Sequence, residues 1–137
     1  MTLEVNEKIE LSNLRFKKAQ QFLADAQANL IEGRHHTAIN RSYYAALTTV
    51  RSLLILEGVN PETHDGAITM LSLKFIKTNL LHIKIVKDFK ALYNLRTDSD
   101  YGDFDSLSLE EANDSFQKAE TLLNEINIVR EKLISEM

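Results

Sequence analysis

Hydrophobic side chains recur along this chain in steps of three and four residues, the spacing that builds one apolar face on an α-helix. The pattern predicts a first helix from about Asn6 to Glu32 and a second from about His35 to Glu57. Gly33 and Gly58 follow these stretches, and glycine readily takes the left-handed conformation that ends a helix. The N-terminal part of the chain therefore predicts a pair of long amphipathic helices.

Three further helices are predicted in the second half of the chain. A shorter helix runs from Thr63, a suitable N-cap, to about Lys77, and a fourth runs from about Leu81 to Arg96. The acid-rich stretch from Thr97 to Leu107 is predicted to be a loop. The last helix begins at Ser108, where Glu111 three residues later completes a capping box.

Composition restricts the fold class to all-α. The 137 residues include only 4 Gly and 1 Pro, whereas barrels, sandwiches and doubly wound folds need many turns. The absence of Cys excludes disulfides and thiolate chemistry. We predict one domain, residues 1–137, folded as an up-and-down antiparallel bundle of four long helices and one short helix. No apolar run approaches 18 residues and no signal peptide is recognisable, so we expect a cytoplasmic protein without a membrane segment.

Charged residues are distributed unevenly, although the net charge is only −4. The stretch from Lys74 to Arg96 has six basic residues and one acidic residue, and the stretch from Asp98 to Asp114 has seven acidic residues and no basic one. An acidic chain is not a general nucleic-acid binder. The basic stretch nevertheless leaves room for a local surface that attracts anions.

The apolar stripe of the second helix consists of Ile39, Tyr43, Ala46, Val50, Leu53 and Glu57. A polar stripe lies nearly opposite it. The stripe consists of Arg34, Thr37, Arg41, Tyr44, Thr48 and Arg51. Three guanidinium groups beside a tyrosine and two hydroxyls are suited to a phosphate group or to the carboxylates of a partner. The alternative interpretation is an ordinary solvated face.

Arg96 falls at the centre of the apolar arc of the fourth helix. A charge in that position faces the bundle or a groove, and it needs a partner. Asp100 shares this face if the helix continues for one more turn. Arg96 is therefore either one half of a structural ion pair or an anion-binding or catalytic arginine.

No established metal or cofactor motif is present, and we predict neither a metal nor a cofactor. The chain lacks the P-loop, dinucleotide-binding and nucleophile-elbow patterns and the paired Glu-x-x-His motifs of di-iron bundles. His35 and His36 project about 100° apart on a regular helix, so they do not share one metal ion.

Several segments together resemble HEPN-domain proteins, in particular the small stand-alone branch long catalogued as uncharacterised. In the second helix they are Gly33-Arg34, Ala38-Ile39-Asn40-Arg41-Ser42-Tyr43-Tyr44-Ala45 and Leu53-Leu54 with Gly58. Further along they are Thr63-His64, Phe75-Ile76-Lys77-Thr78, and Arg96 to Phe104, which is similar to the branch's Arg-x-x-x-Asp-Tyr-Gly signature. The closing Ala-rich helix also fits, and the resemblance extends from about Lys17 to Ile128.

The resemblance implies a dimeric helical bundle and a minimal nucleotidyltransferase as partner. Many HEPN proteins are RNases, often toxins of toxin–antitoxin modules, and these carry an arginine followed four to six residues later by histidine. This chain has Tyr101 five residues after Arg96 and no histidine within reach. A phenol with a pKa near 10 does not replace an imidazole at neutral pH. The resemblance also suggests Tyr101 as an acceptor for a nucleotidyl group from the partner.

The sequence therefore favours a HEPN-fold protein that binds nucleotide or RNA, as one half of a two-protein, toxin–antitoxin-like module. The predicted ligand-binding residues are Arg41, Tyr44, His64 and Arg96, and the predicted chain assembly is a homodimer. The alternative from the enzyme class is a metal-independent RNase that uses Arg96 with Asp100, Tyr101 or His64. A third possibility is a purely structural interaction domain.

Overall fold

A computed structural model describes residues 2–101 and 108–137, apart from the side chains of Asp100 and Tyr101. Its five α-helices are α1 (Val5–Ile31), α2 (His35–Leu54), α3 (His64–Leu71), α4 (Lys84–Tyr101) and α5 (Leu109–Glu136). A 3₁₀ turn, Ile55–Glu57, extends α2, and a π-helical turn, Ser72–Ile76, extends α3. The described ranges contain no strand, and the predicted all-α bundle is confirmed.

The predicted helix boundaries agree with the caps at three ends. Gly58, with φ of 77°, ends the 3₁₀ turn after α2 in the left-handed conformation. The Thr63 side chain accepts a 2.9 Å hydrogen bond from the Gly66 amide and caps α3. At the start of α5, the Glu111 amide donates to Ser108 Oγ at 3.1 Å, and Glu111 reaches back to the Ser108 amide, which completes the predicted capping box.

α2 is the central helix. It packs against α1, α3, α4 and α5, whereas α1 and α4 make at most marginal contact with each other. α1 and α4 therefore flank α2, and α5 covers its apolar face. Five residues of the predicted apolar stripe are buried on that face, Ile39, Tyr43, Ala46, Val50 and Leu53, whereas the sixth, Glu57, is exposed in the 3₁₀ turn. The rest of the core is built from large apolar side chains, including Phe75, Phe89, Leu122 and Ile126.

The fourth helix differs from its prediction at both ends. It begins at Lys84 instead of Leu81, because Leu81 packs into the core from the turn that precedes the helix. It also continues to Tyr101, although Thr97 to Leu107 was expected to be a loop. Ser, Thr and Asp are weak helix formers, but the last turn of α4 is helical, and Ser99 there hydrogen-bonds His36 of α2. The remainder of the predicted loop, residues 102–107, lies outside the described residues.

No helix in the described ranges is both long enough and apolar enough to cross a membrane.

Candidate functional site

The polar stripe of α2 runs between α1 and α4, which both pack against this helix, and we refer to the surface between them as the groove. Tyr44 is half-buried and lies between the two flanking helices. Its ring centroid is 6.0 Å from that of Phe22 on α1, and its hydroxyl is 3.4 Å from Nη2 of Arg96 on α4. The stripe does point away from the face that α5 covers. It is not a uniformly solvated surface, because only Arg34 at one end is largely exposed, where it pairs with Glu32 at 3.4 Å.

Arg96 is held against the faces of two tyrosines. Its guanidinium carbon lies 5.3 Å from the ring centroid of Tyr43 and 5.4 Å from that of Tyr44. Both distances are within the range of cation–π attraction. The aromatic pair thus explains how a cation occupies the middle of an apolar arc. The alternative of an ion pair with Asp100 involves a side chain outside the described residues.

His64, the first residue of α3, packs into the same cluster. Its ring stacks on Tyr93 of α4, with centroids 3.8 Å apart and planes 12° apart, and Nδ1 is 3.1 Å from the Tyr43 hydroxyl. Burial lowers the pKa of His64; Asp65 opposes this shift, and the positive charges of Lys90 and Arg96 add to it. At neutral pH the imidazole is therefore uncharged and is able to accept a proton.

Tyr43 lies on the core side of Arg96 and His64 and contacts both side chains. It is 3% exposed, and burial raises the pKa of its hydroxyl against the opposing effect of the Arg96 charge. The phenol therefore remains protonated. It orients the imidazole by hydrogen bonding and the guanidinium by its ring face.

Arg41 lies further along the groove on α2. Its guanidinium carbon is 5.7 Å from the ring centroid of Phe22, on the side of the groove formed by α1. Lys18 of α1 approaches the same ring, with Nζ 5.8 Å from the centroid. Phe22 thus contacts two cations and Tyr44, and the buried ring of Tyr43 contacts both Arg96 and His64.

Sequence reasoning missed three aromatic members of the site. Tyr43 was assigned to the apolar stripe of α2, and neither Phe22 nor Tyr93 was considered as a site residue. The available signal was the Tyr43-Tyr44 pair, because neighbouring residues on a helix project about 100° apart. One ring of such a pair faces the core while the other faces the groove, so a cation between them contacts both.

Two predicted site residues cannot be placed in the groove. The backbone of α4 reaches Asp100 and Tyr101, but their side chains lie outside the described residues, so their roles stay predictions. In the part of the chain that the structure describes, no three His, Asp or Glu residues are grouped so as to hold a metal ion.

Comparison with known proteins supplies the context for this cluster. Residues 12–129 match the HEPN domain family. A UPF0332 protein from Thermotoga maritima is 31% identical over 133 residues, which cover 97% of this chain and 98% of the relative. Two relatives come from Methanocaldococcus jannaschii. "Putative toxin MJ0142" is 32% identical over 89% of this chain and 82% of its own length, and "Putative toxin MJ0605" is 29% identical over 79% and 80%.

Proposed function

This chain belongs to the HEPN-domain family, and on that premise we propose that it is a toxin-like protein that binds nucleotide or RNA through Arg96 and the aromatic groove around it. The names of the two Methanocaldococcus jannaschii relatives support the toxin-like part of the proposal. The binding part rests on the geometry of the groove.

The observation that carries the proposal is the guanidinium of Arg96 over Tyr43 and Tyr44. A guanidinium group donates paired hydrogen bonds to phosphate oxygens. Aromatic rings beside a basic group are the usual surface on which unpaired bases stack. The groove combines both properties, with Phe22 and Arg41 on the side formed by α1.

The test compares one arginine variant and one lysine variant of α4. We expect Arg96→Ala to weaken binding of AMP or of a labelled single-stranded oligoribonucleotide by about 1–3 kcal/mol, the range of a charge-assisted hydrogen bond. Lys87→Ala removes the same charge from an exposed position on the opposite side of α4, and it serves as the control. Fluorescence anisotropy measures the affinities. Unchanged binding together with a lower melting temperature would make Arg96 a structural residue.

A second candidate function is metal-independent RNA cleavage, and the position of His64 favours it. The imidazole shares Tyr43 with Arg96, and its lowered pKa keeps it neutral at pH 7. In that reaction His64 takes the proton of a ribose 2′-hydroxyl, and the 2′-oxygen attacks the adjacent phosphorus while Arg96 stabilises the pentavalent phosphate. The P–O5′ bond then breaks, the 5′-oxygen leaves with a proton from the imidazolium or from water, and a 2′,3′-cyclic phosphate remains.

RNA cleavage is tested with purified protein in EDTA. Cleavage by the wild-type protein that is lost in both His64→Asn and Arg96→Ala supports the RNase function. If the wild-type protein binds RNA without cleaving it, the binding function stands alone. If it neither binds nor cleaves, the chain is a structural interaction domain.

Assembly and partners also belong to the proposal. We propose that the chain forms a homodimer and has a minimal nucleotidyltransferase as partner, as the resemblance to HEPN proteins implies, and that it works in the cytoplasm. Light scattering that gives a concentration-independent mass near 15.6 kDa would contradict the dimer. Co-expression with a nucleotidyltransferase encoded beside this chain, followed by affinity purification, tests the partner.

A further inference from the structure

A second basic cluster lies on the seam between α1 and α2. Arg15 of α1 and Arg51 in the last turn of α2 both donate to one oxygen, Oδ1 of Asn60, at 2.9 Å and 3.3 Å. Nη1 of Arg15 also donates to the Arg51 carbonyl at 3.2 Å. The loop after α2 thus brings an amide side chain to a point where two guanidinium groups converge.

The charge of this cluster is unbalanced. Among the residues that the structure describes, no carboxylate lies within ion-pair distance of Arg15 or Arg51. Burial lowers the pKa of Arg15, and the nearby charge of Arg51 lowers it further. Arginine nevertheless stays protonated in proteins, so two positive charges repel each other across one neutral oxygen.

Helix capping explains the position of the Arg15 guanidinium but not that of the Arg51 guanidinium. The Arg51 carbonyl lies in the last turn of α2, where a cation such as Arg15 is favourable. No such effect explains why the Arg51 guanidinium turns toward the same place. Its Nη2 reaches the Asn60 oxygen that Arg15 also contacts. An anion with several acceptor oxygens would accept hydrogen bonds from the terminal nitrogens of both guanidinium groups and neutralise their charge.

We propose that Arg15 and Arg51 form a phosphate-binding site that takes a backbone phosphate of single-stranded RNA. The RNA part rests on the proposed function, because it requires the same strand to reach Arg96. Tyr44, Thr48 and Arg51 succeed one another by about one turn on the outer face of α2, which puts Arg51 about 10 Å along the helix from Tyr44.

The intervening surface favours a nucleic-acid strand over other anionic ligands. Lys18 and Phe22 of α1 lie beside the path from Arg15 toward Tyr44 and Arg96. A row of cations with aromatic rings among them is the arrangement by which proteins follow a single strand. An acidic peptide has the charge but not the flat bases that the rings would stack against.

The first experiment tests the phosphate site without RNA. We expect inorganic phosphate, at matched ionic strength, to raise the melting temperature of the wild-type protein and of Arg96→Ala but not of Arg51→Gln. Lys17→Gln, an exposed α1 position with the same loss of charge, should respond as the wild type does. Equal responses of Arg51→Gln and the wild type would overturn the site.

The second experiment tests the strand. Affinity for a labelled oligoribonucleotide is measured against salt concentration for the wild type, Arg51→Gln and Arg51→Lys. In Arg51→Gln, the loss of one phosphate contact should lower the affinity for the oligonucleotide about tenfold. The slope of log affinity against log salt concentration should become shallower by about 0.7, while AMP binding is unchanged. Arg51→Lys keeps the charge and should keep most of the slope.

The outcomes separate this proposal from the function of the Arg96 groove. If Arg96→Ala loses oligonucleotide binding and Arg51→Gln does not, the strand path is wrong and the groove function stands. If phosphate stabilises the protein through Arg51 while Arg96→Ala binds RNA normally, the groove function is wrong and the phosphate site stands. Displacement of phosphate by polyglutamate but not by RNA would assign the site to a protein ligand and overturn the RNA proposal.

Discussion

Arg96 and Arg130, two of the arginines that lie over aromatic rings, belong to different regions of the bundle. On the seam between α1 and α5, the guanidinium carbon of Arg130 is 4.5 Å from the ring centroid of Phe16. On the seam between α2 and α4, Arg96 lies over Tyr43 and Tyr44. The aromatic contact is thus common to both regions, and the polar surroundings are what distinguish them.

Arg130 is surrounded by side-chain oxygens of the protein. It is 7% exposed and donates to Asn13 at 2.6 Å, to Asn127 at 3.0 Å and to Ser12 at 3.3 Å. Burial lowers the pKa of Arg130, with Glu131 opposing the shift. Because these acceptors lie on both α1 and α5, the hydrogen bonds of Arg130 join the two helices, which is a structural role.

Arg96 is half-buried at the side of a groove. A ring face attracts a guanidinium without accepting hydrogen bonds along its N–H directions, whereas the side-chain oxygens around Arg130 do accept them. The comparison teaches that burial of an arginine does not by itself indicate a ligand site. The comparison instead concerns the contacts of each guanidinium, which include two ring faces and a tyrosine hydroxyl for Arg96 and amide and hydroxyl oxygens for Arg130.

The largest effect that we predict tests the structural arginine. Arg130→Ala should lower the free energy of unfolding by about 3 kcal/mol, because it removes the hydrogen bonds to α1 and the packing against Phe16. Urea denaturation measures the loss, with the exposed Arg34→Ala as control. Binding of RNA by the folded variant should be unchanged. A stability within about 0.5 kcal/mol of the wild type would remove the structural role from Arg130.

The next effect in size tests the groove arginine. Arg96→Lys keeps the charge but loses the planar group that lies on two rings and forks toward a phosphate. We expect AMP affinity to fall by about 1 kcal/mol while the urea midpoint hardly moves. A loss of stability as large as that of Arg130→Ala would place the two arginines in one structural class.

Much of the fold was predictable from the sequence because its determinants are local. The apolar stripe of α2, the N-caps at Thr63 and Ser108 and the glycine stop at Gly58 depend on residues within a few positions of one another. The end of α4 was not predictable in this way. Its last turn has weak helix formers but is helical, and Ser99 there hydrogen-bonds His36 of α2.

The candidate site was only partly predictable, for the same reason. Arg96 was found because a charge interrupts an apolar arc, which is a local signal. Its contact with Tyr44 joins residues 52 positions apart, and the contact of Arg130 with Ser12 joins residues 118 apart. No periodicity within one helix indicates such pairs. The role of Arg130 and the positions of Phe22 and Tyr93 therefore needed the packed structure.

A smaller effect concerns pH, and it distinguishes the groove from the Arg130 region. Because burial lowers the pKa of His64 below its unfolded value, the unfolded chain binds more protons in acid. The stability contributed by His64 is thus fully present above about pH 6.5 and is lost as the pH falls from there through the lowered pKa. His64→Gln should flatten this part of the curve, measured by urea denaturation at a series of pH values.

The matched variant for the pH experiment is Tyr43→Phe. It removes the hydroxyl near Nδ1 but leaves the imidazole buried against Tyr93. Since burial is the main cause of the shift, the acid loss should persist in this variant. Disappearance of the loss in Tyr43→Phe would assign the shift to the hydrogen bond instead. Its persistence in His64→Gln would assign it to another group.

The smallest effect decides whether ring faces or hydrogen bonds hold Arg96, and Tyr44 is the residue to change. Tyr44→Phe removes a hydroxyl that contacts Arg96 at a long 3.4 Å but keeps the ring 5.4 Å from the guanidinium. We expect AMP affinity to fall by no more than about 0.5 kcal/mol, whereas Tyr44→Leu, which removes the ring, should cost about 1 kcal/mol. Titration of both variants beside the wild type measures the difference. If the hydroxyl matters more than the ring, Arg96 is held by hydrogen bonding as Arg130 is, and the distinction between the two arginines fails.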